Sequence, residues 1–178
     1  MLKFIILSLL CAVAQAKENE LIGSGHLIAT FPRLQKHLVA CSAFSLYKVK
    51  GVQCTCGDKT DVPLLVIKYQ SPDKPQSSDS AQEFMASVMV KTYEEVKETV
   101  NIKTCKCGKD ETEYEYSVYR EINDNFGIIY SAPQSPNGPE IAFISVETLP
   151  TKTVFENTIK SIPELASRSD YELLCDLS

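Results

Sequence analysis

The stretch that decides the fold reads Glu113-Tyr114-Glu115-Tyr116-Ser117-Val118-Tyr119-Arg120. Successive side chains of a strand point to opposite faces of a sheet, so Tyr114, Tyr116 and Val118 share one face. The other face carries the two glutamates. Alternation of this kind is typical of an antiparallel strand with one buried face. The stretch therefore predicts a β-sheet protein.

The same period of two extends in both directions along the chain, and turn-forming residues separate the apolar runs. One such turn is Asn123-Asp124-Asn125, and a Pro- and Ser-rich loop follows the apolar run that ends at Tyr69. Strands at this spacing, without helices between them, indicate a sandwich or a closed barrel. This pattern predicts seven or eight strands connected by short turns.

One segment near the C-terminus, 154–162, has the pattern of a helix. Thr153 followed by Glu156 fits a capping box, and Phe155, Ile159 and Ile162 recur at i, i+4 and i+7. The sequence thus predicts an all-β domain followed by a single C-terminal helix.

The first 16 residues have the features of a secretory signal peptide. Lys3 precedes an apolar run, and Ala14-Gln15-Ala16 provides the small residues that a signal peptidase requires. An apolar run of about ten residues is too short to span a bilayer, which takes roughly 20. We expect cleavage after Ala16, which leaves 17–178 as one secreted, extracellular domain.

The cysteines agree with an oxidising compartment. Cys11 lies in the signal peptide, and an even number remains for pairing. Two Cys-x-Cys segments could also suggest zinc, but structural zinc sites space their paired thiolates by two to four residues. We favour disulfides, with the two Cys-x-Cys segments as strand-end staples that face each other, and leave the fifteen pairings open. The six cysteines are Cys41, Cys54, Cys56, Cys105, Cys107 and Cys175.

Several functional classes lack a sequence signal. The formal net charge is −5 and the lysines are scattered singly, so neither a nucleic-acid nor a membrane partner is expected. His26 and His37 lie in no catalytic or metal-binding motif. Gly23-Ser24-Gly25 is interpreted as part of a flexible leader and not as a phosphate loop. We therefore predict no enzyme activity, no metal and no cofactor.

From residue 113 onwards, the order of features resembles a lipocalin of the insect bilin-binding or apolipoprotein-D-like type. An aromatic strand is followed by an Asn/Asp turn, the strand Phe126-Gly-Ile-Ile-Tyr130, the strand Ile141-Ala-Phe-Ile-Ser-Val146, a helix and a late cysteine. The family's Gly-x-Trp signature is not present, and the chain contains no Trp. The resemblance implies an eight-stranded antiparallel up-and-down barrel with one open end. Its strands would be 38–49, 52–56, 62–69, 83–93, 96–104, 113–120, 126–130 and 141–146. It also implies a disulfide from Cys175 to Cys54 or Cys56.

Such a barrel implies a carrier or sequestering protein for a small, largely apolar ligand. Because most acidic residues fall on polar faces, we expect a neutral ligand. Tyrosines on the strands suit a binding pocket, although ordinary core packing explains them equally well. The alternative is a secreted interaction protein (an inhibitor, venom or defence component) that binds a protein partner through its loops. Alternate residues of a strand share one face, and this alternation alone selects the residues expected to contact the ligand. They are Phe84, Val88, Val100, Ile102, Tyr114, Tyr116, Val118 and Phe143.

Overall fold

A computed structural model describes residues 19–32, 41–70, 82–99, 101–131 and 141–178. The predicted signal peptide lies outside the described residues. The strands are β1 (Glu20–Phe31), β2 (Ser42–Cys56), β3 (Lys59–Gln70), β4 (Gln82–Val90), β5 (Thr104–Cys107), β6 (Thr112–Glu121), β7 (Phe126–Ser131), β8 (Ile141–Val146) and β9 (Glu172–Leu173). The helices are α1 (Tyr93–Lys97) and α2 (Lys152–Ser161).

The strands form one mostly antiparallel sheet that closes on itself. Strand β1 pairs with β2 on one side and with β8 on the other, and β9 adds to β1. Strand β4 pairs with β3 and, in parallel, with β6. The sheet of the described residues thus has nine strands rather than the predicted eight, and the prediction of a purely antiparallel, up-and-down order is wrong at β4–β6. The hairpin β5–β6 explains the parallel pairing. Strand β5 lies between β2 and β6, and β6 runs on to pair with β4.

Strand β1 was not predicted, because Gly23-Ser24-Gly25 was interpreted as a flexible leader. Close packing explains Gly25 instead. A Cβ atom on Gly25 would overlap the backbone carbonyl of Val146 on the neighbouring strand, so only glycine fits there. The run that follows, from Leu27 to Phe31, is buried throughout. Gly25 therefore permits β1 to pair closely with β8.

Two more strand predictions need correction. The segments 38–49 and 52–56 belong to the single strand β2 where the structure describes them, with Gly51 at a positive φ of 73° and an irregular register between Lys48 and Gln53. The described residues of the segment 96–104 do not form the predicted strand, apart from Thr104 at its end. Instead, Thr92 caps α1 through a complete capping box with Glu95, and the next strand begins only at Thr104.

The C-terminal helix was predicted correctly in position but not in its cap. The N-cap is Thr151, whose side chain accepts a hydrogen bond from the Val154 amide, and not Thr153. Phe155 and Ile159 are buried on its apolar face, as the i, i+4 spacing predicts. The single predicted helix is accompanied by α1, so the described residues contain two helices.

Three disulfides confirm the predicted use of the six cysteines. Cys54 pairs with Cys107 and Cys56 with Cys105, so the two Cys-x-Cys segments face each other across β2 and β5. The third bridge joins Cys41 to Cys175. The expected link from Cys175 to Cys54 or Cys56 is therefore wrong, because those two cysteines are occupied by β5. Several disulfides indicate an oxidising, extracellular-type environment. Neither helix in the described ranges has the length and apolar character needed to cross a bilayer.

Buried side chains lie on both faces of the sheet. The larger cluster contains Tyr116 and Val118 of β6 together with Val96 of α1 and Phe155 of α2. We call this the helix-side face, because both helices pack against it. The smaller cluster is centred on Leu27, Phe44 and Ile67, with Ile129 and Phe143 packed against it. We call this second face the inner face, because it lines a pocket inside the ring of strands.

Candidate ligand pocket

A pocket of about 160 Å³ lies at the end of the sheet that carries the β6–β7 turn. Its lining comes from β1, β2, β3, β4, β6, β7 and β8, which are all the strands of the closed ring. One small pocket can touch seven neighbouring strands only from within the ring. The face of the sheet that lines it is therefore the inner face.

The floor of the pocket is apolar. Phe44 and Leu46 come from β2 and Leu65 from β3, while Met89 of β4 and Ile22 of β1 also line the pocket. Met89 and Ile22 are exposed, at 65% and 46% of their surface. Both side chains thus present apolar surface to a molecule in the pocket.

Tyr119 is the principal polar group within the pocket. Its ring lies directly against Gly127 of the neighbouring strand, where a Cβ atom would come within 2.6 Å of the ring carbons. The Tyr119 hydroxyl hydrogen-bonds the Ser145 side chain of β8. Burial raises the pKa of Tyr119, and the nearby Glu121 and Glu147 carboxylates raise it further. The phenol is thus protonated and oriented by its neighbours.

The mouth is held in place by the turn between β6 and β7. The Asn123 side-chain oxygen accepts hydrogen bonds from the Asn125 and Phe126 amides, both at 3.0 Å. Asn125 in turn binds the Thr148 backbone, as acceptor at 2.8 Å and as donor at 3.0 Å. These bonds connect the turn to the end of β8 and fix the rim. A turn at these residues was predicted, but its contact with Thr148 was not.

Negative charge surrounds this mouth. Glu121, Asp124 and Glu147 line the pocket, and all three are exposed. Within the described part of the chain, no lysine, arginine or histidine lines it. These carboxylates do not converge on one point, since no group of three or more potential metal ligands was found among the described residues.

The residues expected to form the ligand-contacting wall lie elsewhere. Tyr116 and Val118 are fully buried on the helix-side face, and Val88, Ile102 and Tyr114 pack against the same cluster. The physical reason is that the alternation of side chains assigns each residue to one of two faces but does not show which face turns inward. The described members do not line the pocket, and their assignment as ligand contacts stays a prediction.

The remaining wall residues are also dispersed. Phe84 is 45% exposed, with its ring centroid 6.1 Å from that of Tyr114. Phe143 alone among the described members belongs to the inner-face cluster. Val100 lies outside the described residues, as does His37. His26 lies in β1 and is half-buried.

Sequence reasoning counted Tyr119 among the strand tyrosines that suit a pocket but left it out of the expected wall, and it missed Gly127. A useful signal was nevertheless present: a glycine inside a strand often marks a site where another group approaches closely. Gly127 within Phe126-Gly-Ile-Ile-Tyr130 has that position, and Tyr119 on the neighbouring strand is the group that approaches it.

A second polar cluster lies on the helix-side face. The Arg120 guanidinium donates to Glu164, and the Tyr130 hydroxyl donates to the same carboxylate oxygen at 2.6 Å. The Arg120 and Glu164 side chains are 15% and 5% exposed. Burial and the adjacent Glu164 carboxylate raise the pKa of Tyr130. This cluster joins β6 and β7 to the segment after α2, and we interpret it as structural.

Comparisons with models of known protein families, with curated proteins and with solved structures found no match to this chain.

Proposed function

We propose that the chain is a secreted carrier or sequestering protein that holds a small, largely apolar molecule inside its ring of strands. The observation that carries this proposal is the pocket itself. Its lining combines apolar side chains with one half-buried phenol, and such a combination is typical of small-molecule sites. The fixed turn at the mouth supports a pocket that exists before the ligand binds.

A lipocalin-like barrel is the architecture that we propose for this function. Pairing of β1 with β8 and a helix after the last long strand both support it. The parallel β4–β6 contact and the hairpin of β5 and β6 would be the modifications of that plan in this chain. A closed ring leaves few free edges and holds its cavity rigidly.

The volume of the pocket limits the size of the ligand. A cavity of about 150 Å³ in a protein core holds one benzene molecule. The present pocket, at about 160 Å³, therefore fits one aromatic or aliphatic ring, with a substituent that extends to the mouth. A large pigment or a long-chain lipid would exceed it.

A second candidate is the interaction protein that acts through its loops. The packing of Leu27, Phe44 and Ile67 favours it, because these buried side chains fill much of the inner face. Such a protein would need no ligand, and its disulfides would serve only to keep the loops in place.

Native mass spectrometry of the protein isolated from its natural source separates the two candidates. For a carrier, we expect the mass of the mature chain plus one small molecule, which is lost when the chain is unfolded. A single-ring probe should then compete with that molecule. A protein that carries no small molecule, excludes the probe and is isolated in a stoichiometric complex with another protein would overturn the carrier proposal.

A further inference from the structure

We infer that the ligand carries a positive charge, as a single-ring organic cation such as an arylalkylamine. This inference rests on the proposed function, because it concerns the chemistry of the same pocket. The sequence analysis predicted a neutral ligand instead, because most acidic residues fall on the polar faces of the predicted strands.

The first observation is the separation of apolar and charged groups in the lining. Phe44, Leu46 and Leu65 form the floor, whereas Glu121, Asp124 and Glu147 are at the mouth. A ligand that fills such a pocket would place an apolar ring inward and its substituent among the carboxylates. A positive substituent gains attraction from all three carboxylates, and a negative substituent is repelled by all three.

The second observation is that no charge in the described lining opposes this preference. The lining contains no basic side chain, so the carboxylates form no ion pair across the pocket. None of the salt bridges found among the described residues involves Glu121, Asp124 or Glu147. Among the described residues, no cation competes with a ligand for these three charges.

The third observation concerns the aromatic groups. Phe44 and Tyr119 both line the cavity, and aromatic faces attract cations as well as neutral rings. Tyr119 also lines the pocket at a point where the Glu121 and Glu147 carboxylates create a negative potential. An ammonium donor is the complement of such a region, whereas a carboxylate is not.

The shape of the site favours an organic cation over a metal ion. Metal ions need several ligands that converge at about 2–2.6 Å, and the described residues include no such group. A one-ring amine needs only a cavity of one ring and a diffuse negative rim, and the pocket has both.

The test uses three phenols that differ in the charge of a short side chain: tyramine, 4-ethylphenol and 4-hydroxyphenylacetate. Calorimetry of the mature protein at low salt should give tyramine an affinity about tenfold higher than that of 4-ethylphenol, with the acid weakest. Raising the salt concentration should reduce the difference, because exposed charges are screened.

Variants test whether the carboxylates at the mouth cause the preference for tyramine over 4-ethylphenol. In the double variant Glu121→Gln with Glu147→Gln, the advantage of tyramine over 4-ethylphenol should fall to about threefold or less. Glu113→Gln is the matched control, since Glu113 is an exposed carboxylate of the same strand β6 that does not line the pocket. That variant should keep the full difference.

The outcomes are distinguishable. Equal binding of tyramine and 4-ethylphenol, or an advantage that survives in the double variant, would overturn the cation inference and leave the carrier proposal in place. Binding of none of the three phenols would contradict the carrier proposal itself.

Discussion

Gly127 and Tyr119 together determine the shape of the pocket. The aromatic ring occupies the space that any larger side chain at 127 would need. The same ring is oriented by Ser145 and borders the floor of the cavity. A single methyl group added at Gly127 must therefore displace Tyr119 into or out of the pocket.

We predict that Gly127→Ala weakens the binding of 4-ethylphenol at least tenfold and lowers the free energy of unfolding by about 1–3 kcal/mol, because the added methyl group overpacks the site. Gly23→Ala is the matched control. Gly23 also lines the pocket, yet its added Cβ atom would meet nothing within 4 Å. Calorimetry and urea unfolding measure both effects. Similar results for the two variants would show that Tyr119 does not shape the site.

A second prediction concerns the ion pair between Arg120 and Glu164. We expect Glu164→Ala to lower the free energy of unfolding by about 3 kcal/mol, because it leaves the Arg120 charge and the Tyr130 hydroxyl buried without their acceptor. Asp170→Ala removes a more exposed ion pair with Arg168 and should cost about 1 kcal/mol or less. Chemical denaturation of both variants provides the comparison. If Glu164→Ala costs no more than Asp170→Ala, the cluster does not stabilise the fold.

At this scale the sequence predicts which side chains share a face but not which face is inner. Tyr116 and Tyr119 illustrate the limit. Both are aromatic residues of one strand with opposite parity, and only the position of the helices decides between them. The helices cover the face of Tyr116, and that leaves Tyr119 to line the pocket.

The disulfides differ in what they constrain, although all three join β-strands or their ends. Cys41–Cys175 closes a loop across 134 residues and alone ties the C-terminal tail to β2. Cys54–Cys107 and Cys56–Cys105 join the same two strands, β2 and β5. Either of these two bridges therefore retains most of the constraint when the other is absent.

We predict that removing Cys41–Cys175 with a paired Cys→Ser variant lowers the free energy of unfolding by up to about 5 kcal/mol in the chain-entropy model. Removing Cys54–Cys107 in the same way should cost less than half as much, because Cys56–Cys105 still joins β2 to β5. Both variants replace two cysteines, so the number of substitutions is matched. Equilibrium unfolding without reductant measures the losses. Equal losses would contradict the redundancy of the β2–β5 bridges.

Strands with a regular alternation of apolar and polar residues were predictable from the sequence. Elements whose residues depart from that alternation were not. Strands β6, β7 and β8 lie within a residue of their predicted bounds. Strand β1 was missed because its glycines resemble a leader, and α1 was missed because Val96 also fits a period of two. The Thr92–Glu95 capping box was the signal for α1, but it precedes a helix of only five residues.

At the scale of the whole molecule, local patterns do not determine strand order. The parallel contact of β4 with β6 depends on where the hairpin β5–β6 packs. That position is fixed by the two bridges to β2, and the fifteen possible pairings could not be resolved from spacing alone. The closed ring and the place of its pocket follow from those long-range contacts.

The most direct test of the proposed carrier function is to locate a bound ring by intermolecular nuclear Overhauser effects. The mature protein is saturated with 4-ethylphenol, and contacts are recorded between the ligand's ring protons and assigned side-chain methyl groups. A ligand inside the ring of strands should contact the methyl groups of Leu46, Leu65 and Met89, which line the pocket. Contacts with Val88, Ile102 and Val118 instead, or no contacts at all, would contradict a ligand site at this end of the ring.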